Sequence, residues 1–265
     1  MTTLRLGAVS YLNTKPLVYG LDAVPGQFDV RFDVPAKCAE LLHAGKVDLG
    51  LTPAIEYLRG QDDYWIVPGV AIASDGDVAS VAVFSSKPID QVETIALDLS
   101  SRTSVALTRI LCARRWGIAP TFTPAEPDVT AMLARADAAL VIGDPAMAID
   151  AAALGLRKVD LGGEWQALTG LPFVYAMWTG RQDAASPAQC AALRTAREQG
   201  EANLSRIAAK VGEGDAARTE RALRYLRDNL KYGLGEREAA GLRRFHELAV
   251  EVGLAGALKP LRFYS

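Results

Sequence analysis

Two short stretches carry the residue types from which a binding site for a small anion can be built. The first is SSRTS, where Ser100, Ser101, Thr103 and Ser104 crowd the start of an expected helix. The first turn of a helix leaves backbone N–H groups unpaired, and the helix dipole adds partial positive charge there. Hydroxyls capping such a turn, with Arg102 beside them, suit a carboxylate or phosphate. Capping alone needs one hydroxyl, and this stretch supplies four. The second is SYLNTKP, in which Asn13 offers both a donor and an acceptor and Pro16 is expected to open a helix. It reads equally as an ordinary Asn or Thr cap with Tyr11 packed as core. A third helix start, VIGDPAM, places Gly143, which permits close backbone approach, beside Asp144. Asp144 also reads as a plain cap for that helix. Trp165 and Thr169 sit just before a long apolar strand, within reach of the same region.

These turns need strands ahead of them, and the pattern supplies them. LRLGAV, FDVRFDV and VDLGLT are expected strands, with helices KPLVYGLDA, PAKCAELLHAGK and PAIEYLRG after each. YWIVPGVAIAS and VASVAVFSS then follow one another with no helix between them. After Pro88 the alternation resumes: TIALDLS, TFTPAE and AALVIGD as strands, TSVALTRILCARRWG, VTAMLARA and PAMAIDAAALG as helices. LPFVYAMWTG is a long apolar strand, and from Pro187 the chain reads as helical. Strands separated by helices of this size imply right-handed crossovers and parallel sheets. Two extended stretches, near 75–90 and 170–181, could carry the chain from one α/β unit to the other and back. The expectation is an α/β chain of two lobes. Lobe one comprises 1–86 plus 176–265, with a helical tail, and lobe two 87–175. The ligand would lie in the cleft, outside the carboxyl ends of the strands. By that rule Thr52, which follows the third strand, joins Tyr11, Gly143 and Asp144 as a cleft candidate.

Bulk properties narrow the function. The chain has 265 residues, 50% of them hydrophobic, and a net charge of −2 with no long basic run, so a nucleic-acid partner has no electrostatic support. No apolar run approaches the roughly 18–20 residues that a membrane span needs. MTTLRLGAVSYLN lacks the basic and apolar regions of a secretory leader, so a cytoplasmic location is expected. Cys38, Cys112 and Cys190 are far apart and expected to be buried free thiols, and two histidines make a zinc site improbable. No phosphate-binding P-loop, dinucleotide fingerprint or nucleophile elbow is present. An enzyme built this way would lack an obvious strong protein base. The two amphipathic segments near the C-terminus could pack on lobe one or on a second copy, making a homodimer one outcome.

VSYLNTKPL, CAELLHAGKVDLGLTPAIEYL, IASDGDVASVAVFSS, ALDLSSRTSVALTRILC, ADAALVIGDPA and DLGGEWQALTGLPFVYAMW, in that order over roughly residues 4–180, together resemble the chorismate dehydratase family of the futalosine route to menaquinone. The resemblance implies a periplasmic-binding-protein-like fold of type II, in agreement with the two-lobe reading. It implies loss of water from chorismate to give 3-[(1-carboxyvinyl)oxy]benzoate, with no metal, nucleotide or redox cofactor. It carries a catalytic, orienting role onto Asn13, a substrate-binding role onto Ser80, and an anion-binding helix start onto Ser101, Thr103 and Ser104. Two alternatives share the fold: a small-anion receptor without chemistry, and 1,4-dihydroxy-6-naphthoate synthase, whose opening motif differs from SYLN-x-x-PL.

Overall fold

The computed structural model describes residues 3–23 and 26–265. Two five-stranded mixed sheets form the frame. The first takes strands β1 (Leu4–Val9), β2 (Phe28–Asp33), β3 (Leu49–Pro53), β4 (Tyr64–Ser74) and β10 (Phe173–Arg181), in the order β2-β1-β3-β10-β4. The second takes β5 (Val81–Ser85), β6 (Thr94–Asp98), β7 (Thr121–Ala125), β8 (Ala138–Ile142) and β9 (Arg157–Asp160), in the order β7-β6-β8-β5-β9. In each sheet three strands joined by helical crossovers run parallel, and the fourth and fifth in the order pair antiparallel.

The antiparallel strands mark where the chain changes lobe. β5 pairs with β8 and β9, so the chain already belongs to the second sheet at Val81. β10 pairs with β3 and β4 from Phe173 onward. The sheets therefore exchange the chain between residues 74 and 81 and again between 160 and 173, rather than at 86–87 and 175–176. An apolar strand carries no mark of which sheet it will join, so only the pairing locates these points.

The helices are α1 (Pro35–His43), α2 (Ala54–Arg59), α3 (Arg102–Leu111), α4 (Val129–Leu133), α5 (Gly143–Ala148), α6 (Leu161–Thr169), α7 (Pro187–Ala202), α8 (Leu204–Gly212), α9 (Ala216–Arg224) and α10 (Glu236–Glu251). They cover both faces of the central strands: β3, β5 and β8 are buried at every residue, whereas the edge strands β2 and β7 are largely open. α1 shows the local logic. Pro35 occupies its first turn, where a missing N–H costs nothing, and Cys38, Ala39, Leu41 and Leu42 turn inward.

Three elements differ from the sequence expectation. The segment Leu12–Val18 is a 3-10 helix that begins at Leu12, so Pro16 lies inside it rather than opening it. The expected helix over 145–155 stops at Ala148, because the Asp150 carboxylate accepts from Ala153 N (3.0 Å) and folds the chain into a turn. α6 was not foreseen. Its signals are present all the same: Asp160 caps it through Gly162 N and Gly163 N, and Gly170 closes it at φ +70°. The glycine pair in its first turn hides them.

The C-terminal helix α10 packs on its own chain. Phe245 meets Phe173 at 5.0 Å and Trp165 at 6.2 Å between ring centroids, both edge-on. All three rings are buried, each contributing about 1.5–3 kcal/mol of apolar burial. Trp165 is thus core rather than cleft, and the Thr169 hydroxyl donates to the Trp165 carbonyl within α6.

Candidate active site

Between the two sheets lies a small, partly open cavity. Its polar lining is Tyr11, Asn13, Ser80, Ser101, Ser104 and Tyr175; the remainder is apolar, including Val9, Pro53, Ile72 and Ile142, with the backbone of Gly143. These side chains come from four separate parts of the frame. Tyr11 and Asn13 follow β1, Ser80 precedes β5, Ser101 and Ser104 open α3, and Tyr175 sits on β10. Of the residues expected there from sequence, Tyr11, Asn13, Ser80, Ser101, Ser104 and Gly143 line the cavity. Thr52, Thr103 and Asp144 do not. No charged side chain lines it among the described residues.

The lobes are drawn together by helix starts. Ala36 N, in the first turn of α1, donates to the Ser100 carbonyl (3.0 Å). Ile55 N, in the first turn of α2, donates to the Thr103 hydroxyl (3.2 Å). Leu12 N, at the head of the 3-10 segment, donates to Asp144 Oδ1 (3.3 Å). Each is an N–H that a helix cannot pair internally, and each is satisfied by the opposite lobe. These contacts account for where two of the expected residues sit. The Thr103 hydroxyl accepts from Ile55 N and the residue stands outside the cavity lining. Asp144 caps no helix of its own but accepts from Leu12, and burial holds its carboxyl above the ordinary range despite that bond and the charge of Lys15.

The cations within the two stretches, Arg102 and Lys15, are engaged elsewhere. Arg102 points away from the cavity, donating to Glu56 Oε2 (2.8 Å) and Glu40 Oε1 (3.2 Å) of lobe one. Lys15 lies over the Phe32 ring, 5.4 Å from its centroid. Thr52 is buried on β3 opposite Met177, and its hydroxyl has no partner among the described residues.

What remains at the mouth of α3 is a donor set without a counter-ion. Ser101 caps the helix, accepting from Ser104 N (3.3 Å), and the two hydroxyls lie 2.9 Å apart. Hydroxyls and a helix N-terminus bind a carboxylate by directed donors and by the dipole, without neutralising it outright. That suits a ligand whose own charge must remain available.

Ser80 is held from several sides. Gly143 N donates to its carbonyl (2.7 Å). The residue before it, Ala79, has φ +64°, a left-handed conformation costly for a side chain with a Cβ. Asp160 pins that strained turn, accepting from Val78 N (3.0 Å) and Ala79 N (2.7 Å) while also capping α6. Burial pushes the Asp160 carboxyl up, and these backbone N–H groups draw it back. Asp160 and Tyr175 both escape the sequence reading. Tyr175 stands in a strand buried at nearly every position, so alternation could not single it out. Its hydroxyl lies 3.1 Å from Ser74 Oγ. Among the described residues no group of three or more His, Cys, Asp or Glu side chains is arranged to hold a metal ion.

Known proteins agree with this layout. The chain matches the menaquinone biosynthesis family over residues 4–251. It is 33% identical to the chorismate dehydratase of Thermus thermophilus over 261 residues, covering 91% of this chain and 93% of that protein. Among solved structures it is similar to the alkanesulfonate-binding protein SsuA of Xanthomonas axonopodis pv. citri, with a TM-score of 0.69 at 18% identity, covering 97% and 95% of the two chains. It is also similar to the CA3427 gene product of Candida albicans, described as having the generic periplasmic binding protein fold, with a TM-score of 0.67 at 10% identity, covering 98% and 92%. The two structural likenesses show the periplasmic-binding-protein fold, and the family match and the close relative together show that this chain belongs to the menaquinone biosynthesis family.

Proposed function

We propose that this chain is a chorismate dehydratase, a hydro-lyase that converts chorismate to 3-[(1-carboxyvinyl)oxy]benzoate and water. The observation that carries the reading is the interlobe cavity lined by an amide and hydroxyls and by no charged side chain, in a chain one-third identical to a protein of that name. Chorismate brings two carboxylates of its own. The proton to be lost sits on the ether-bearing ring carbon, conjugated through a ring double bond to the ring carboxylate. Donors at the start of α3 would hold that carboxylate and favour negative charge developing on it. The enolpyruvyl carboxylate lies close to the same proton and takes it. The freed electron pair forms the new ring double bond as the neighbouring hydroxyl departs, taking that proton from the enolpyruvyl carboxyl to leave as water, and the ring becomes aromatic.

Asn13 cannot serve as a strong base, because an amide has little affinity for a proton. Its role is to orient the departing hydroxyl or the attacking carboxylate. A cavity without lysine, arginine or histidine fits this chemistry, since a paired enolpyruvyl carboxylate would be a weaker base. We place the reaction in the cytoplasm, in keeping with three buried free cysteines. Incubating purified protein with chorismate alone, followed by ultraviolet absorbance and mass spectrometry, should reveal an aromatic product lighter by one water. Tight binding of chorismate by folded protein without any turnover would instead make this a small-anion binding protein.

A further inference from the structure

After α9 the chain enters a single π-helical turn, Tyr225–Asn229. Such turns are rare and shift the side-chain register of the helix they interrupt. This one delivers Tyr225 from the C-terminal tail to the rear of the cleft. Its ring is buried, and its hydroxyl donates to Ser80 Oγ at 2.8 Å across 145 positions of chain. Burial pushes that hydroxyl well above the ordinary tyrosine range, and hydrogen bonding with Ser80 and with Asn13 draws it only partly back. It therefore stays protonated and remains a donor. The tail is fixed just beyond it, where Lys231 N and Ala73 O pair at 2.8 Å beside β4.

The consequence lies in the hydroxyl of Ser80. A serine hydroxyl has one proton to give and lone pairs to receive. Tyr225 fills the receiving side. Among the described residues Ser80 Oγ has no acceptor of its own, and the side chain lines the cavity.

We propose that Tyr225 is a positioning residue for the cleft: by donating to Ser80 Oγ it commits the serine proton to an oxygen of the bound substrate. The proposal rests on the dehydratase reading for the identity of that substrate. The geometry joins Ser80 at the crossing strand, set on a strained backbone, to a tail residue that sequence spacing does not connect with it. Tyr225 acts through Ser80 and is not itself among the residues that line the cavity.

The test is a double-mutant cycle on Tyr225→Phe and Ser80→Ala, with chorismate as substrate. Tyr225→Phe keeps the buried ring and should leave the thermal midpoint nearly unchanged. It should lower kcat/KM by about ten- to hundredfold, the worth of one hydrogen bond to a charged group. Ser80→Ala should lose a similar factor, and the double variant should be no worse than Ser80→Ala within about twofold. A Tyr225→Phe enzyme within about twofold of the parent, or losses that multiply, would overturn the proposal. A parent protein that binds chorismate without converting it would sink the dehydratase reading but leave this one testable. The same cycle is then read by calorimetry of chorismate binding, where additive losses again refute it.

Discussion

The ring of Tyr11 fills the space that a side chain on Gly143 would need. A Cβ built on Gly143 would lie 2.9 Å from the Tyr11 ring, and the backbone there has φ +68°. Tyr11 belongs to the turn after β1 and Gly143 opens α5 just after β8, so this close approach joins the lobes at the edge of the cavity. Gly143→Ala should destabilise the protein by about 1–2 kcal/mol through the left-handed backbone alone, measured by urea unfolding. It should also raise KM, because Tyr11 must move. In a Tyr11→Leu background the added penalty on KM should shrink; an undiminished penalty would mean the ring contact is irrelevant.

Asn13 lines the cavity and carries no charge. Asn13→Ala should depress turnover by about a hundredfold or more, as expected for loss of an orienting contact, while weakening product binding much less. Steady-state kinetics beside calorimetry with the product separates the two. Equal losses in both would reduce Asn13 to a binding residue.

Ser104 and Thr103 are neighbours with different assignments. Ser104 lines the cavity beside Ser101, whereas the Thr103 hydroxyl accepts from Ile55 N across the lobes. Ser104→Ala should chiefly raise KM, by an amount corresponding to about 1.5–3 kcal/mol if it donates to a carboxylate. Thr103→Val should cost about 1–3 kcal/mol of stability by leaving Ile55 N unpaired. The opposite pattern would exchange their roles.

Acid should weaken the fold through His246 before it affects the carboxylates. Burial pushes the His246 imidazole down to about 4 from 6.5, with the Ala54 carbonyl offsetting part of the fall. Its Nε2 lies 3.1 Å from that carbonyl and donates to it, while Nδ1 has no partner among the described residues. A proton on Nδ1 would be buried unpaired, so the unfolded chain takes it up first. The contribution is full above pH 6.5 and is lost as pH falls towards 4, on the order of 3 kcal/mol in all. His246→Gln, which keeps a donor but does not titrate, should flatten unfolding free energy across that interval.

A second loss should follow at lower pH from Glu56. Burial alone would raise its carboxyl, but His43, Arg102 and Arg59 together hold it below its ordinary 4.5. Its contribution is therefore present above pH 4.5 and lost as pH falls through the lowered value. Arg102→Met should remove part of this second loss and leave the first untouched, as followed by chemical unfolding at a series of pH values.

Much of this architecture could be read from the chain. Period-two and helical patterns placed β1, β3, β6, β8 and β10 to within a few residues, because a half-buried or buried strand must show its faces in composition. SYLN and SSRTS stood out because hydroxyls and amides at a strand-to-helix turn have few other uses than capping or binding. What the pattern could not carry was partnership across the fold. Whether Thr103 faces a ligand or Ile55, whether Arg102 meets an anion or Glu56, and whether Asp144 caps its own helix or takes Leu12 N all depend on how two lobes meet. Tyr225 shows the limit most plainly: 145 residues separate it from Ser80, and only a π turn in the tail brings its hydroxyl there. Local periodicity fixes which face of an element is buried. Which buried polar group pairs with which is decided by the tertiary structure, since an unpaired donor costs the same wherever in the chain its acceptor lies.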